Sequence, residues 1–209
     1  MDSVTFAIVE NLFQDAYASW KAAASFAAKC NRNCIVTPGF PILWFGDLDA
    51  YLKKSPEERA ITIGVNPSGQ ELRRNKSDSF IRFPNCPVGS EEIDVGRYIE
   101  AMNCYFQVNP LKWFERGMEE VPFKYKDGSL IHIDCCSTIA TRPTWTGLCN
   151  SMRELLRKDN KPIFEKLLLT LNPSIIYITS NKSEKAYIED YCKTILKLDN
   201  TSVICIDKY

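Results

Sequence analysis

The chain has 209 residues, of which 26 are basic and 26 are acidic, so its formal net charge is zero. Hydrophobic residues at 45% and aromatic residues at 11% are ordinary values for a folded protein, and they exclude a largely disordered chain. The length predicts one domain over 1–209, and the zero net charge argues against a protein that coats nucleic acid or membrane by bulk attraction.

The first part of the chain predicts two helices and a strand. Residues 3–29 carry apolar side chains at intervals of three and four, which indicates a long amphipathic helix with Ser3 as its N-cap. We expect this N-terminal segment, 1–30, to pack on the domain as an extra helix. A short helix is expected over 47–54, and the apolar residues 60–65 predict a strand that ends in the turn Asn66-Pro67-Ser68-Gly69.

The second part of the chain alternates predicted strands with predicted helices. Residues 91–120 are expected to be helical, with an interruption at Asn109-Pro110. Asn160 and Pro162 predict a break that divides the helical stretch 147–171 into two helices. Three further strands are expected over 130–136, 174–179 and 202–206, and one further helix over 183–197. Because apolar strands separated by long helices are typical of βα crossovers, we expect an α/β fold with a four-stranded parallel sheet.

The cysteine and histidine content argues against a disulfide framework and against a metal site. The nine cysteines are an odd number in a chain without a secretory signal, so we expect reduced, mostly buried thiols in a cytoplasmic protein. His132 is the only histidine and no C-x-x-C pair occurs, so we expect neither a metal nor another cofactor. No apolar run approaches the roughly 18 residues of a membrane span, and we expect no membrane contact.

Two groups of polar residues follow the first and second strands, where the ligand sites of parallel sheets lie. The first, 64–71, contains Asn66 in a glycine-flanked turn, and it is either an ordinary turn or a place where the backbone approaches a ligand. The second contains His132 and Asp134, which project to the same side of a strand. Asp134 is either a polar anchor or a reader of a ligand, and we expect His132 to have a structural hydrogen-bonding role.

These two groups carry a resemblance to a known family. Gly64-Val65-Asn66-Pro67-Ser68 resembles the first motif of the uracil-DNA glycosylase superfamily, in particular that of its mismatch-specific branch. Residues 132–137 and 138–145 are similar to the second strand and exit loop of that superfamily, and the resemblance spans roughly 35–206. It implies a three-layer α/β/α sandwich that uses no cofactor. The implied activity is hydrolysis of the N-glycosidic bond of a flipped pyrimidine-type base in DNA, which leaves an abasic site.

The resemblance also implies roles for individual residues. Asn66 would position the attacking water, and Asp134 would lie where the uracil enzymes read the base with an asparagine. Phe80 or Phe83 would stack on the base, although a place in the core suits each equally well. Further base-binding residues would be Gly64, Val65, Pro67, Ser68 and Asn181. The DNA phosphates would meet Arg73, Arg74, Lys76, Arg82, Arg142 and Lys182.

Two departures from the family pattern refine this expectation. An ionised Asp134 only accepts hydrogen bonds, so it suits the amino group of a cytosine-type or modified base better than O4 of uracil. The His-Pro-Ser-like loop of the family does not follow the fourth strand, and Lys208 with Tyr209, or the segment 179–183, would take its place. Two other interpretations stay open: a non-catalytic DNA- or protein-binding module on the same fold, and a hydrolase of free nucleosides or nucleotides.

Charge is distributed unevenly along the chain despite its zero sum. Residues 59–82 contain five basic and two acidic side chains, whereas residues 91–100 contain one basic and four acidic side chains. The basic segment borders the expected pocket. We therefore expect a monomer that binds DNA with modest, salt-sensitive affinity through few phosphate contacts, either in DNA repair or in defence against phage DNA.

Overall fold

Four strands form a sheet at the centre of the protein. They are β1 (Ala60–Gly64), β2 (Leu130–Asp134), β3 (Ile175–Ile178) and β4 (Ser202–Cys205). Their spatial order is β2-β1-β3-β4, and each neighbouring pair is parallel. The computed structural model describes residues 1–30, 32–84, 86, 94–110, 114–180, 182–196 and 202–206. Over these residues the predicted α/β fold with a four-stranded parallel sheet is confirmed.

Helices cover both faces of the sheet, which makes the fold an α/β sandwich. They are α1 (Ser3–Lys29), α2 (Leu48–Lys53), α3 (Val95–Asn103), α4 (Tyr105–Val108), α5 (Asn150–Leu171) and α6 (Lys182–Leu196). The crossovers that contain α5 and α6 both lead toward β4, so right-handed connections place these helices on one face, where they contact each other. The N-terminal helix α1 packs against α5. None of the described helices combines the length and apolarity needed to cross a membrane.

The N-cap of α1 is Asp2, whereas the sequence predicted Ser3. The Asp2 carboxylate accepts a hydrogen bond from the backbone N–H of Thr5 at 2.8 Å and one from the Thr5 hydroxyl at 3.0 Å. A carboxylate at this position satisfies an otherwise unpaired amide of the first turn, which is what an N-cap residue supplies.

The predicted break in the middle of α5 is wrong, since the helix continues through Pro162. Proline costs one backbone hydrogen bond, but the apolar face of α5 is buried on both sides of it. That face comprises Met152, Leu156, Ile163, Phe164, Leu167, Leu168 and Leu171. The predicted helix over 91–120 is also too long, because the helical residues end at Val108 and residues 114–121 form turns.

The core is built around β1 and β2, where every side chain is buried, as expected for strands covered on both faces. Aromatic rings surround this pair of strands, including those of Phe40, Phe45 and Tyr98. Phe45 and His132 exchange backbone hydrogen bonds of 2.8 and 3.0 Å, so the segment before α2 lies along the free edge of β2. This arrangement fixes the position of β2, which carries two of the candidate site residues.

Candidate active site

The candidate site lies where β1 and β2 end. Gly64 and Asp134 are register partners in the parallel pair. Beyond them the backbones stay joined, because Cys135 N–H donates to the Gly64 carbonyl at 3.1 Å and Cys136 N–H donates to the Val65 carbonyl at 2.9 Å. The two polar groups predicted from the sequence, 64–71 and the residues after 132, are thus brought together at one edge of the sheet.

The side-chain amide of Asn66 is held in one orientation. Its Nδ2 donates to the Pro67 carbonyl and to Thr141 Oγ1, both at 2.9 Å. A carbonyl oxygen can only accept, so the atom facing Pro67 is the amide nitrogen. Thr141 Oγ1 in turn donates to the Pro143 carbonyl at 2.9 Å, which leaves its lone pairs for Asn66.

This orientation leaves the Asn66 carbonyl oxygen as a free acceptor. Among the described residues, none donates a hydrogen bond to Asn66 Oδ1, and the side chain is half-buried. An amide oxygen in this condition can accept a hydrogen bond from one water molecule and fix that molecule's position. The arrangement therefore has the geometry required to hold a nucleophilic water.

The carboxylate of Asp134 lies directly over Gly64. A Cβ atom built at Gly64 would be 2.4 Å from Asp134 Oδ1 and 3.0 Å from the His132 ring, so a residue with a side chain does not fit there. Asp134 is 5% exposed, and no described residue donates a hydrogen bond to its carboxylate within 3.5 Å. A nearly buried carboxylate without such a donor is ready to accept one from a ligand.

His132 is part of a buried hydrogen-bonded chain that leads to Asp134. Its Nδ1 lies 2.7 Å from Thr62 Oγ1, which lies 2.7 Å from the Tyr125 hydroxyl. Burial raises the pKa of Tyr125, so this phenol keeps its proton. The other ring nitrogen of His132, Nε2, lies 3.6 Å from Asp134 Oδ1.

Phe80 and Phe83 lie in the aromatic core. Both rings are almost fully buried, and each makes an edge contact with Phe40 at 5.3 Å between ring centres. Phe83 also contacts Tyr105 at 5.1 Å. Stacking of a base on either ring would therefore require the segment 70–84 to move.

The predicted phosphate-binding residues fall into different environments. Arg73, Arg74 and Arg142 line one groove of about 490 Å3, hereafter the arginine groove. Arg82 instead donates to Glu71 at 2.5 Å and to the Tyr105 hydroxyl at 3.2 Å, so an acidic residue within the protein already neutralises it. Lys76 is exposed but does not line the groove. The side chains of Asn181 and Lys182 lie outside the described residues.

The three remaining base-binding candidates differ in burial, since Pro67 is buried whereas Val65 and Ser68 are partly exposed. Ser68 is bridged to Thr141, and the backbone N–H of Thr141 donates to the Pro67 carbonyl at 3.3 Å. Val65 packs between the two core clusters and is partly exposed. The turn after β1 is therefore tied to the exit loop of β2 along its whole length.

Three residues of the site could not be assigned a role from the sequence. Thr141 orients Asn66 although the two lie 75 residues apart in the chain. Thr62 and Gly64 lie two residues apart on β1 and therefore share a face of the strand. This spacing was the only feature of the sequence that could have indicated that Thr62 belongs to the site. Tyr125 belongs to an irregular segment, where no periodic pattern indicates a partner.

Within the part of the chain that the structure describes, no three His, Cys, Asp or Glu side chains are grouped so that they could hold a metal ion. No protein-family model matches the chain, and no curated protein matches it.

Proposed function

We propose that this protein is a DNA glycosylase that hydrolyses the N-glycosidic bond of a flipped pyrimidine-type base and leaves an abasic site. The observation that carries the proposal is the Asn66 amide, whose two N–H groups are engaged by Pro67 and Thr141 while its oxygen has no donor among the described residues. At the adjacent strand end the Asp134 carboxylate likewise receives no hydrogen bond from a described residue. The resemblance of 64–68 to the glycosylase motif points to the same reaction.

The chemistry of glycosidic cleavage fits these two groups. The bond breaks through an oxocarbenium-like sugar, and a water positioned by Asn66 Oδ1 would attack the anomeric carbon. The product would be a free base and an abasic deoxyribose. The water would lose its proton after attack, and the departing base would gain one.

The base most compatible with the site is of the cytosine type. A carboxylate accepts the hydrogen bond that the N4 amino group of cytosine donates, whereas O4 of uracil would face it as a second acceptor. A cytosine-type or modified cytosine base is therefore preferred over uracil.

Base release from oligonucleotides tests the proposal. Single-stranded and duplex oligonucleotides that contain uracil, mismatched thymine, hypoxanthine or modified cytosines are incubated with the protein and then cleaved at abasic sites with alkali. We expect cleavage on a cytosine-type substrate, a loss of at least about 100-fold in Asn66→Ala, and a change of base preference in Asp134→Asn. Asn11→Ala, on the exposed face of α1, is the matched control.

A second pair of variants tests the orientation of the amide. Thr141→Val removes the group that fixes Asn66 but keeps the shape of the side chain, so kcat should fall while the fold is retained, and Thr141→Ser should restore activity. Absence of cleavage on every substrate, with salt-sensitive DNA binding retained, would contradict the proposal and favour a binding module. Release of base from free nucleosides alone would contradict it in favour of a nucleoside hydrolase.

A further inference from the structure

Two hollows meet beside the candidate active site. The first is the arginine groove, whose charged lining residues are Arg73, Arg74 and Arg142. The second, hereafter the apolar hollow, has a volume of about 370 Å3 and is lined mainly by Cys34, Pro143, Leu148, Cys149 and Met152, with Arg32 also in its wall. Asn33 and Arg142 line both, so the two hollows adjoin.

The charges around the arginine groove are of one sign. No acidic residue lines either hollow among the described residues. Arg74 pairs with Asp78 on the surface, but none of the described acidic residues pairs with Arg73 or Arg142. Guanidinium groups bind phosphate through two parallel hydrogen bonds, so the groove suits a phosphate group better than a carboxamide or a sugar.

The walls of these hollows are joined by backbone hydrogen bonds between 34–36 and the exit loop of β2. The backbone N–H of Arg142 donates to the Cys34 carbonyl at 2.9 Å, and Val36 N–H donates to the Ala140 carbonyl at 3.1 Å. Arg142 also follows Thr141, which orients Asn66. A ligand held by Arg142 would therefore lie next to Thr141, the residue that orients the amide proposed to hold the water.

We propose that the arginine groove and the apolar hollow together form a second nucleotide-binding site, with the phosphate between Arg73 and Arg142 and the base in the apolar hollow. A charged groove that adjoins a mainly apolar hollow matches a nucleoside monophosphate, which joins an anion to a flat, weakly polar ring. The combined volume lies within the range of small-molecule sites. This inference rests on the proposed function in one respect, since it assigns the nucleotide to an unpaired position of the DNA strand that carries the flipped base.

Cys149 provides a direct readout of occupancy. It is exposed, lines the apolar hollow and lies at the N-cap of α5. We expect dTMP, and more strongly a thymine tetranucleotide, to slow the alkylation of Cys149 by iodoacetamide at least fivefold. The exposed Cys205 on β4 is the internal control and should react at an unchanged rate. Peptide mapping by mass spectrometry measures both rates.

Calorimetry with variants separates the two parts of the site. Arg142→Gln and Arg73→Gln should each weaken dTMP binding about tenfold, whereas Arg97→Gln, on the exposed surface of α3, should not. Cys149→Trp fills the apolar hollow and should remove the advantage of dTMP over inorganic phosphate. The unfolding midpoint of each variant is measured alongside, so that a loss of fold is recognised.

The outcomes distinguish this inference from the proposed glycosylase activity. Base release without any protection of Cys149 would overturn the second site and leave the glycosylase standing. Protection of Cys149 without base release would support the site and contradict the glycosylase. Equal protection by dTMP and inorganic phosphate would overturn the base position, and protection by dTMP but not by the tetranucleotide would overturn the assignment to a DNA strand in favour of free nucleotides.

Discussion

Gly64 shows how a missing side chain determines what its neighbours can do. The Asp134 carboxylate and the His132 ring occupy the space that a Cβ atom at this position would need. Both side chains come from β2, whereas Gly64 ends β1, so the contact depends on the parallel register of the two strands. The positions of the Asp134 carboxylate and the His132 ring therefore depend on the absence of a side chain at residue 64.

Gly64→Ala should be harmful to stability and to activity together. The Asp134 carboxylate must move by more than half an ångström, so we expect the free energy of unfolding to fall by about 1–3 kcal/mol and base release to be lost. Denaturant unfolding and the oligonucleotide assay measure the two effects. Gly96→Ala, at an exposed position of α3, is the control. Its added methyl group meets only the side-chain oxygen of the exposed Asp94, at 3.0 Å, so it should change the stability far less than Gly64→Ala. Full activity in Gly64→Ala would show that the carboxylate position is unimportant.

The pH dependence of Cys149 alkylation is a second prediction about a single residue. The Ser151 hydroxyl, 3.3 Å away, and the Arg32 guanidinium at 2.5 Å lower the pKa of Cys149. Because the folded-state pKa is depressed, the reactive thiolate persists to lower pH in the folded protein than in denaturant, where the pKa of a cysteine thiol is about 8.5. Iodoacetamide rates over a pH series measure the shift.

Arg32→Gln tests the cause of that shift. Removing the guanidinium should move the rate profile of Cys149 toward higher pH, since one of the groups that stabilise the thiolate is lost. Lys29→Gln, at the exposed C-terminal turn of α1, is a nearby control that removes the same charge without touching the thiol. Identical profiles for the folded protein and the unfolded chain would contradict the interpretation.

Among the elements, α5 does more than cover the sheet. Its buried Asn160 donates from Nδ2 to the Cys135 carbonyl at 2.8 Å and accepts from the Thr138 N–H at 3.2 Å. These two backbone groups belong to the loop that follows β2, where ladder hydrogen bonds no longer satisfy them. The helix thus anchors the exit loop that carries Thr141.

Asn160→Ala should leave both backbone groups without a partner in the interior. We expect the free energy of unfolding to fall by about 1–3 kcal/mol for each group. Asn150→Ala, at the exposed start of the same helix, should change it by less than about 0.5 kcal/mol. Chemical unfolding of the two variants and the parent measures the difference, and equal stabilities would show that water replaces the amide without cost.

The same helix shows what the sequence could and could not predict. Apolar runs were sufficient to predict all four strands and their parallel arrangement. In β1, β2 and β3 these runs reflect burial, because buried strands have few polar interruptions, whereas β4 is mostly exposed. Asn160 and Pro162 also suggested a helix break, because both residue types disfavour the interior of a helix. Packing of α5 against the rest of the protein outweighs this preference. Asn160 is buried because it binds another element, and the exposed Pro162 is tolerated by a helix that is packed on both sides of it.

The candidate site was predictable only as far as single strand ends. Asn66 and Asp134 could be selected because each follows an apolar strand, and parallel strands end at one edge. The partners that give them their properties, Thr141 for Asn66 and Gly64 for Asp134, are distant in the chain. The pairing of Arg82 with Glu71 was equally hidden, since a charged side chain looks the same in a sequence whether it faces water or a buried carboxylate.

For the molecule as a whole, the zero net charge conceals a concentrated positive site. The arginine groove joins Arg73 and Arg74, from the segment after β1, with Arg142 from the exit loop of β2. Long-range attraction to DNA is weak for a neutral protein, so the proposed DNA binding would depend on these short-range contacts. The affinity should therefore be modest and controlled by a small number of residues.

The salt dependence of DNA binding tests this distribution. Three phosphate contacts predict a slope of about −3 for the logarithm of the binding constant against the logarithm of salt concentration on duplex DNA. Arg142→Gln should reduce its magnitude by about 1, whereas Arg97→Gln should leave it unchanged. Fluorescence anisotropy with a labelled oligonucleotide over a salt series gives these slopes. A slope near zero would exclude the groove as a phosphate-binding surface.

The hydrogen bonds of Asn66 also have a thermodynamic consequence. A free asparagine side chain samples several rotamers, and fixing it on binding would cost conformational entropy. Here the Pro67 carbonyl and Thr141 Oγ1 already hold the amide in the unliganded protein. The rotational freedom of Asn66 is surrendered when the chain folds, so an arriving water and substrate meet a group that has no further ordering to undergo.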